Sequence, residues 1–278
     1  MINKETVSTF DRDGFLVVPS FLSTLAMAAL KKRAAEIVDA FDADAHRAIF
    51  STKDHDTTFN DYLLGSADKV ACFFEEEAFD AGGRLCQDKA LSINKIAHAL
   101  HDLDPVFCNV SRDARLAKIA SALGCSAPLI WQSMYIFKQP RIGGEIGWHQ
   151  DGAFFYTEPE SVITFWFALD DADRDNGCLW VEPGGHKGPL RNRFIRKGSK
   201  TELIGCDPAP WPTLDSAVPV EVKAGALVVF HSRLPHYSAP NRSNRPRHAY
   251  TLHVTDGAAT YAAENWLQRG DALPVRGF

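Results

Sequence analysis

From residue 128 onward the chain is a series of short apolar runs, at 129–137, 162–169, 178–181, 218–222, 226–230 and 248–254, punctuated by Pro, Gly, Asn and Asp. Runs of this length between turn residues read as strands. Helical patterns of 10–15 residues would have to separate them in a parallel βαβ sheet, and none does. The pattern predicts a sandwich or barrel of antiparallel strands.

The first third reads as mainly helical. Residues 14–18 form a short strand-like run ended by Pro19, and Ser23 or Thr24 can cap the helix that follows. Ala26, Leu30, Ala34, Ile37 and Phe41 then recur at spacings of three and four, one apolar stripe. A second helix is expected near Asp104-Pro105, with proline at an early helical position. A third runs from Ser111, with Leu116, Ile119, Ala120 and Leu123 inward and Gly124 as its stop. Residues 50–95 give no clear period and are expected to include long loops.

No repeat or break in composition divides the 278 residues. The expectation is one domain over 1–278, helical to about 127 and β from about 128 to 256. Hydrophobic residues at 45% allow a sizeable core. A net charge of -5 argues against a general nucleic-acid binder. The six cysteines include no Cys-x-x-Cys pair, which argues against a zinc site of that kind and suits free thiols in a reducing cytoplasm. Residues 1–10 lack the apolar stretch of a secretory signal, and no run of about 18 apolar residues predicts a membrane span.

Chemistry first enters at Trp148-His149-Gln150-Asp151. On a strand, residues two apart share a side, so His149 and Asp151 can present an imidazole and a carboxylate to one ion. Two histidines and a carboxylate on one face of iron(II) leave positions open for oxygen chemistry. The tripeptide alone is weak, since a hydrogen-bonded pair at a strand end looks the same. The third ligand is expected to be His236, in His231-Ser-Arg-Leu-Pro-His236-Tyr-Ser238. Arg247 follows eleven residues later, across a turn-prone segment that can set His236 and Arg247 on neighbouring strands. A buried arginine there suits two-point binding of the distal carboxylate of 2-oxoglutarate. His231 is a competing ligand, or a histidine closing the strand before it. His248 and His253 are expected at the surface or in packing.

At these residues the chain resembles the phytanoyl-CoA dioxygenase family. The likeness extends to Asp13-Gly14-Phe15-Leu16-Val17, to Asn176-Gly177-Cys178-Leu179, and to Pro183-Gly184-Gly185-His186-Lys187, where Gly185 stands for the family's serine. The segments 92–96, 133–140 and 264–267 add to it, so that the match covers nearly the whole chain in order. The resemblance implies a mainly β, double-stranded β-helix (jelly-roll, cupin-like) core with flanking N-terminal helices. It implies Fe(II), 2-oxoglutarate and O2 as cofactor and co-substrates, with no catalytic residue beyond the metal ligands. Lys95 and Ser238 would then help hold the 2-oxoglutarate carboxylate beside Arg247, Met134 and Trp166 would pack on its carbon chain, and Gln150 would lie beside the iron. Core packing accounts equally for Trp166 and Met134, and a solvated helix end for Lys95.

The implied reaction oxidises an unactivated C–H of a small or medium-sized organic molecule, releasing succinate and carbon dioxide. The carboxylate of Asp151, absent from related halogenases, favours hydroxylation. Phe154 and Tyr135 are candidates for an apolar substrate pocket. Arg191 and Arg193, in a basic stretch with Arg196, Lys197 and Lys200, are candidates for an anionic group such as a CoA moiety, or else belong to an exposed loop. Two rivals stay open: a cupin-like metal enzyme that does not use 2-oxoglutarate, and a non-catalytic binding protein on the same fold. A zinc hydrolase would leave Arg247 unexplained.

Overall fold

Helix α1 (Lys4–Asp13) starts where the Asn3 side chain accepts a hydrogen bond from Thr6 N at 2.8 Å. It stops at Gly14, whose φ of 83° ends the helical path. In the computed structural model, which describes residues 3–50 and 57–278 (the side chains of 57–60 apart), the chain then enters strand β1 (Phe15–Val18). Ser23 caps α2 (Thr24–Ala40), which buries Leu30, Ala34 and Val38. Of the expected stripe Leu30 and Ala34 are buried, while Ala26, Ile37 and Phe41, the last at the helix C-cap, are half-buried; Val38, four residues after Ala34, is buried in place of Ile37. Helix α3 (Thr57–Leu64) leads to β2 (Val70–Phe74) and β3 (Ile93–His98), and α4 (Leu100–Leu103) follows. Two strands therefore lie where long loops were expected; residues 51–56 of that stretch lie outside the described residues. Asp104 caps α5 (Pro105–Ser111), and Asp113 caps α6 (Ala114–Ala122), which turns Leu116, Ile119 and Ala120 inward.

The remainder supplies β4 (Pro128–Ile136), β5 (Ile146–His149), β6 (Thr157–Glu158), β7 (Ile163–Ala168), β8 (Leu179–Val181), β9 (Asn192–Lys197), β10 (Lys200–Gly205), β11 (Val218–Val220), β12 (Leu227–His231), β13 (His236–Ser238), β14 (Ala249–Asp256) and β15 (Thr260–Tyr261). The expected runs all become strands, with ends moved by one or two residues. The larger sheet has the order β1-β12-β7-β14-β4-β3-β2 and the smaller β11-β8-β13-β5, with antiparallel pairs throughout. This is the jelly-roll that the pattern and the resemblance led to, widened by three strands from the N-terminal part. The basic stretch expected as a loop is the β9–β10 hairpin. No helix among the described residues is long and apolar enough to cross a membrane.

Strand alternation divides the larger sheet into two chemistries. One face turns Phe165, Phe167, Tyr250, Leu252 and Tyr135 toward Leu30, Phe107 and Leu116 of the helices. Each such buried side chain contributes roughly 1.5–3 kcal/mol. The other face carries the intervening residues, Thr164 and Trp166 on β7, Thr251 and His253 on β14, and Gln132 and Met134 on β4. These line a cavity of ≈ 360 Å³ shared with the smaller sheet, a volume suited to a small molecule.

Candidate metal centre

Strands β13 and β5 are antiparallel neighbours, and their register sets His236 opposite His149 with ring centroids 4.0 Å apart. Strand β5 ends at His149, but Gln150 is still extended (φ -130°, ψ 128°). Alternation therefore carries Asp151 to the side of His149 at the start of a 3-10 turn. Asp151 Oδ1 lies 3.7 Å from Nε2 of His149 and 3.7 Å from Nε2 of His236. One ligand atom from each of the three falls within 4.8 Å of the others.

The outer atoms of both rings explain the inner ones. His149 Nδ1 is 2.8 Å from Gly147 O, and His236 Nδ1 is 3.0 Å from Leu234 O. A carbonyl can only accept, so each Nδ1 carries a hydrogen, which leaves Nε2 as the ring nitrogen facing inward and able to offer a lone pair to a metal. Burial pushes the His149 pKa down to about 3, and His236 beside it acts in the same direction. Burial alone would raise Asp151; its electrostatic interaction with His236, His253 and His149 and the hydrogen bond from His253 outweigh burial and hold the carboxyl well below its usual range. Two lone pairs and an anionic oxygen facing one point suit a divalent cation, and carbonyl-bound Nδ1–H groups are the usual means of fixing such ligands. The other oxygen, Asp151 Oδ2, accepts from Thr164 Oγ1 at 2.6 Å and lies 3.4 Å from His253 Nε2.

His231 is not in this cluster. It sits 5.1 Å from the His186 ring and 6.2 Å from Phe10, and its Nδ1 accepts from Arg233 N. His248 is a packing residue, 2.8 Å from Tyr135 Oη. His253 is buried, as a packing residue would be, but it packs against Asp151 itself.

Arg247 and His236 were expected on neighbouring strands; they face each other across the two sheets instead. Arg247 precedes β14 of the larger sheet and reaches β13 of the smaller one through Nη2, which donates to Ser238 Oγ at 3.0 Å. Its Nε donates to Gly177 O at 3.0 Å, and the guanidinium lies 5.4 Å over the Trp166 ring. It is 2% exposed, Nη1 has no partner, and no carboxylate among the described residues forms an ion pair with it. Burial pushes its pKa down to about 10. A buried cation in this state suits a carboxylate ligand. Lys95 is also inside, on β3 rather than at a solvated helix end, with Nζ 3.1 Å from the Phe50 ring centre and a pKa pushed down to about 7 by burial. Met134 and Trp166 line the same cavity.

Both amide hydrogens of Gln150 are taken by the protein, so it has none left to donate to a cofactor. Its Oε1 accepts from Arg191 N, and its Nε2 donates to Pro189 O and Arg233 O, so it clamps the loops behind the two ligands. Of the substrate candidates, Phe154 lines the cavity, edge-on to His149 at 6.0 Å. Tyr135 does not: its strand parity turns it toward the helices. Arg191 is built into the wall, donating to Pro210 O and lying 4.9 Å over Trp211. Arg193 pairs with Glu264 and lies 4.1 Å over Tyr156. Neither arginine lines the cavity. Sequence reading missed Thr164 and His253; the signal available was their place two residues from Trp166 and Thr251 on strands already recognised.

The family model described as phytanoyl-CoA dioxygenase (PhyH) matches residues 10–249. Phytanoyl-CoA dioxygenase 1 of Oryza sativa subsp. japonica is 47% identical over 269 residues, 96% of this chain and 94% of the relative. Phytanoyl-CoA dioxygenase domain-containing protein 1 of Bos taurus is 42% identical over 284 residues, 98% and 97% of the two chains. Among solved structures, the α-ketoglutarate-dependent carbocyclase SnoK of nogalamycin biosynthesis superposes with a TM-score of 0.64 at 20% identity, covering 99% of this chain and 96% of its own. The epimerase SnoN, in complex with Fe3+, α-ketoglutarate and nogalamycin RO, gives 0.63 at 17% identity, covering 98% and 97%. These two share the fold; the family match and the curated relatives carry more, and by them the chain belongs to the phytanoyl-CoA dioxygenase family.

Proposed function

We propose that this 2-oxoglutarate-dependent non-haem iron dioxygenase holds iron(II) on His149, Asp151 and His236, and hydroxylates an unactivated C–H of a small or medium-sized organic substrate. The observation that carries the reading is the inward aim of both Nε2 lone pairs at the Asp151 carboxylate, in one cavity with a buried, unpaired Arg247. When bound, iron(II) and 2-oxoglutarate supply oxidation by O2, the keto acid leaving as succinate and carbon dioxide. Arg247 takes the distal carboxylate, its fork giving orientation as well as charge, while Ser238, whose hydroxyl donates to Gly177 O and accepts from Arg247 Nη2, holds the guanidinium in place. Trp166 and Met134 flank the carbon chain, and Lys95 adds a second positive charge. Three protein ligands on one side leave the opposite side of the metal for reactants, and the aromatic walls exclude water.

The names of the curated relatives raise an acyl-CoA substrate. Arg193 is paired with Glu264, Arg191 is bound to Pro210 O and Trp211, and neither lines the cavity; with the cavity volume this supports a smaller molecule instead. A cupin-like enzyme without 2-oxoglutarate is less well supported, because it leaves Arg247 without a purpose. The test is succinate release from 2-oxoglutarate by the iron-loaded protein in air, expected above the metal-free level. Iron binding with no 2-oxoglutarate consumed, with or without a substrate mixture, would sink the reading.

A further inference from the structure

The cavity is charged at one end and neutral at the other. Of its described lining residues only Lys95, Arg247 and the candidate ligand Asp151 carry Lys, Arg, Asp or Glu charge. Lys95 pairs with Ile136 and Ile136 with Ala249, two residues after Arg247, so both cations lie at one end of the strand ladder. Four residues back along β4 is Gln132, paired with His253 and adjacent in sequence to Ser133, the cross-strand partner of His98.

This second end is polar, buried and unpartnered. Gln132 is 3% exposed, and neither atom of its amide has a partner among the described residues. His98 is 1% exposed, with Nδ1 2.9 Å from Ser66 Oγ. That hydroxyl spends its one hydrogen on Leu63 O at 2.6 Å, so it accepts from His98 Nδ1–H. The lone pair of His98 is therefore on Nε2, which has no partner among the described residues. Burial, with Lys95 nearby, keeps the ring neutral. Trp266, 4% exposed and 5.1 Å from the His98 ring, has an unpartnered Nε1–H. Buried polar groups normally have partners; Trp266 Nε1 is buried without one, and the Gln132 amide and His98 Nε2 beside the same cavity make no hydrogen bond among the described residues. Phe154, Phe155 and Phe194 wall the space around them.

We propose that Gln132, His98 and Trp266 form the substrate-recognition end of the pocket, and that the substrate is a small neutral molecule whose flat apolar frame ends in a carboxamide or lactam edge. The inference rests on the reading of the opposite end as the 2-oxoglutarate site. The amide oxygen accepts from Trp266 Nε1–H or the Gln132 amide, and the amide N–H donates to His98 Nε2 or Gln132 Oε1. A carboxylate would set its oxygens against the acceptors His98 Nε2 and Gln132 Oε1, and a hydrocarbon leaves the polar groups unpaired.

The test is calorimetric binding of benzamide, benzoate and toluene to the full chain loaded with iron(II) and 2-oxoglutarate without oxygen. Benzamide should bind roughly tenfold more tightly than either analogue, since a site built for hydrogen bonds rejects ligands that lack them. Gln132→Met or His98→Phe, whichever keeps a cooperative melting transition, should remove that preference. Equal binding of the three, or tighter binding of benzoate, overturns the proposal. The iron(II)–2-oxoglutarate absorption band, recorded on the same sample, reports separately on the co-substrate reading; if it is missing, the ranking of benzamide against toluene on the iron-loaded protein still decides the polar end.

Discussion

His149 and His236 are cross-strand partners, and each points Nδ1 at the carbonyl two residues before it, Gly147 O at 2.8 Å and Leu234 O at 3.0 Å. The same local device on adjacent strands fixes both tautomers. Asp151 completes the group and is itself held by Thr164 Oγ1. Thr164→Val keeps the shape of the side chain and removes that bond. Iron(II) affinity should fall about 10- to 100-fold, the usual effect of losing an outer hydrogen bond to a ligand. An anaerobic metal titration measures it, and an unchanged affinity would remove Thr164 from the site.

His231→Ala separates the two histidines that competed for the third ligand position. The structure leaves His231 beside His186 and Phe10. Iron binding should be unchanged in this variant and lost in His236→Ala. The reverse pattern in the same titration would exchange their roles.

Lys95 gives two opposite pH dependences. Its pKa falls from the ordinary lysine value to about 7 on folding, through burial. Between about pH 7 and 10.5 the unfolded chain therefore binds a proton that the folded chain does not, and stability rises with pH in that window. The folded-state ammonium that would attract 2-oxoglutarate is lost as the pH rises through about 7. The melting temperature of the unliganded protein, relative to Lys95→Met, should rise from pH 7 to 10, while 2-oxoglutarate affinity relative to that variant falls as the pH passes about 7 and then levels off. Parallel curves for the two proteins would contradict both.

Tyr135→Phe tests the division of the larger sheet into two faces. Tyr135 Oη pairs with His248 Nδ1 on the helix side. The variant should lose about 1 kcal/mol of stability, the net worth of one hydrogen bond, with succinate formation unchanged. A selective loss of turnover would place Tyr135 at the substrate.

The antiparallel core was legible because short apolar runs bounded by turn residues, with no helical pattern between them, leave few alternatives. Residues 50–95 were not, since β2 is one short apolar run and β3 is buried throughout although Asn94, Lys95 and His98 break its apolar pattern, and the sheet they join is supplied by β4, far along the chain. The metal ligands were legible as a motif plus a spaced histidine. The relation of Arg247 to His236 was misjudged because sequence separation cannot tell a hairpin in one sheet from a crossing between two. Tyr135 was misplaced by one step of strand parity, which the alternation of Gln132 and Met134 on the same strand could have corrected. Gln150 illustrates a different limit: a residue between two ligands was read as a contact, while its amide is bound by three backbone groups from loops 39 to 83 residues away that no local pattern announces.

The most direct measurement is the visible absorption of the anaerobic protein with iron(II) as 2-oxoglutarate is added. A weak charge-transfer band should appear only with both components, vanish in His236→Ala, and need far more 2-oxoglutarate in Arg247→Met, since removing one partner of a buried ion pair costs roughly 3–5 kcal/mol. Iron that binds without any band, or a band whose 2-oxoglutarate requirement ignores Arg247, would contradict the account.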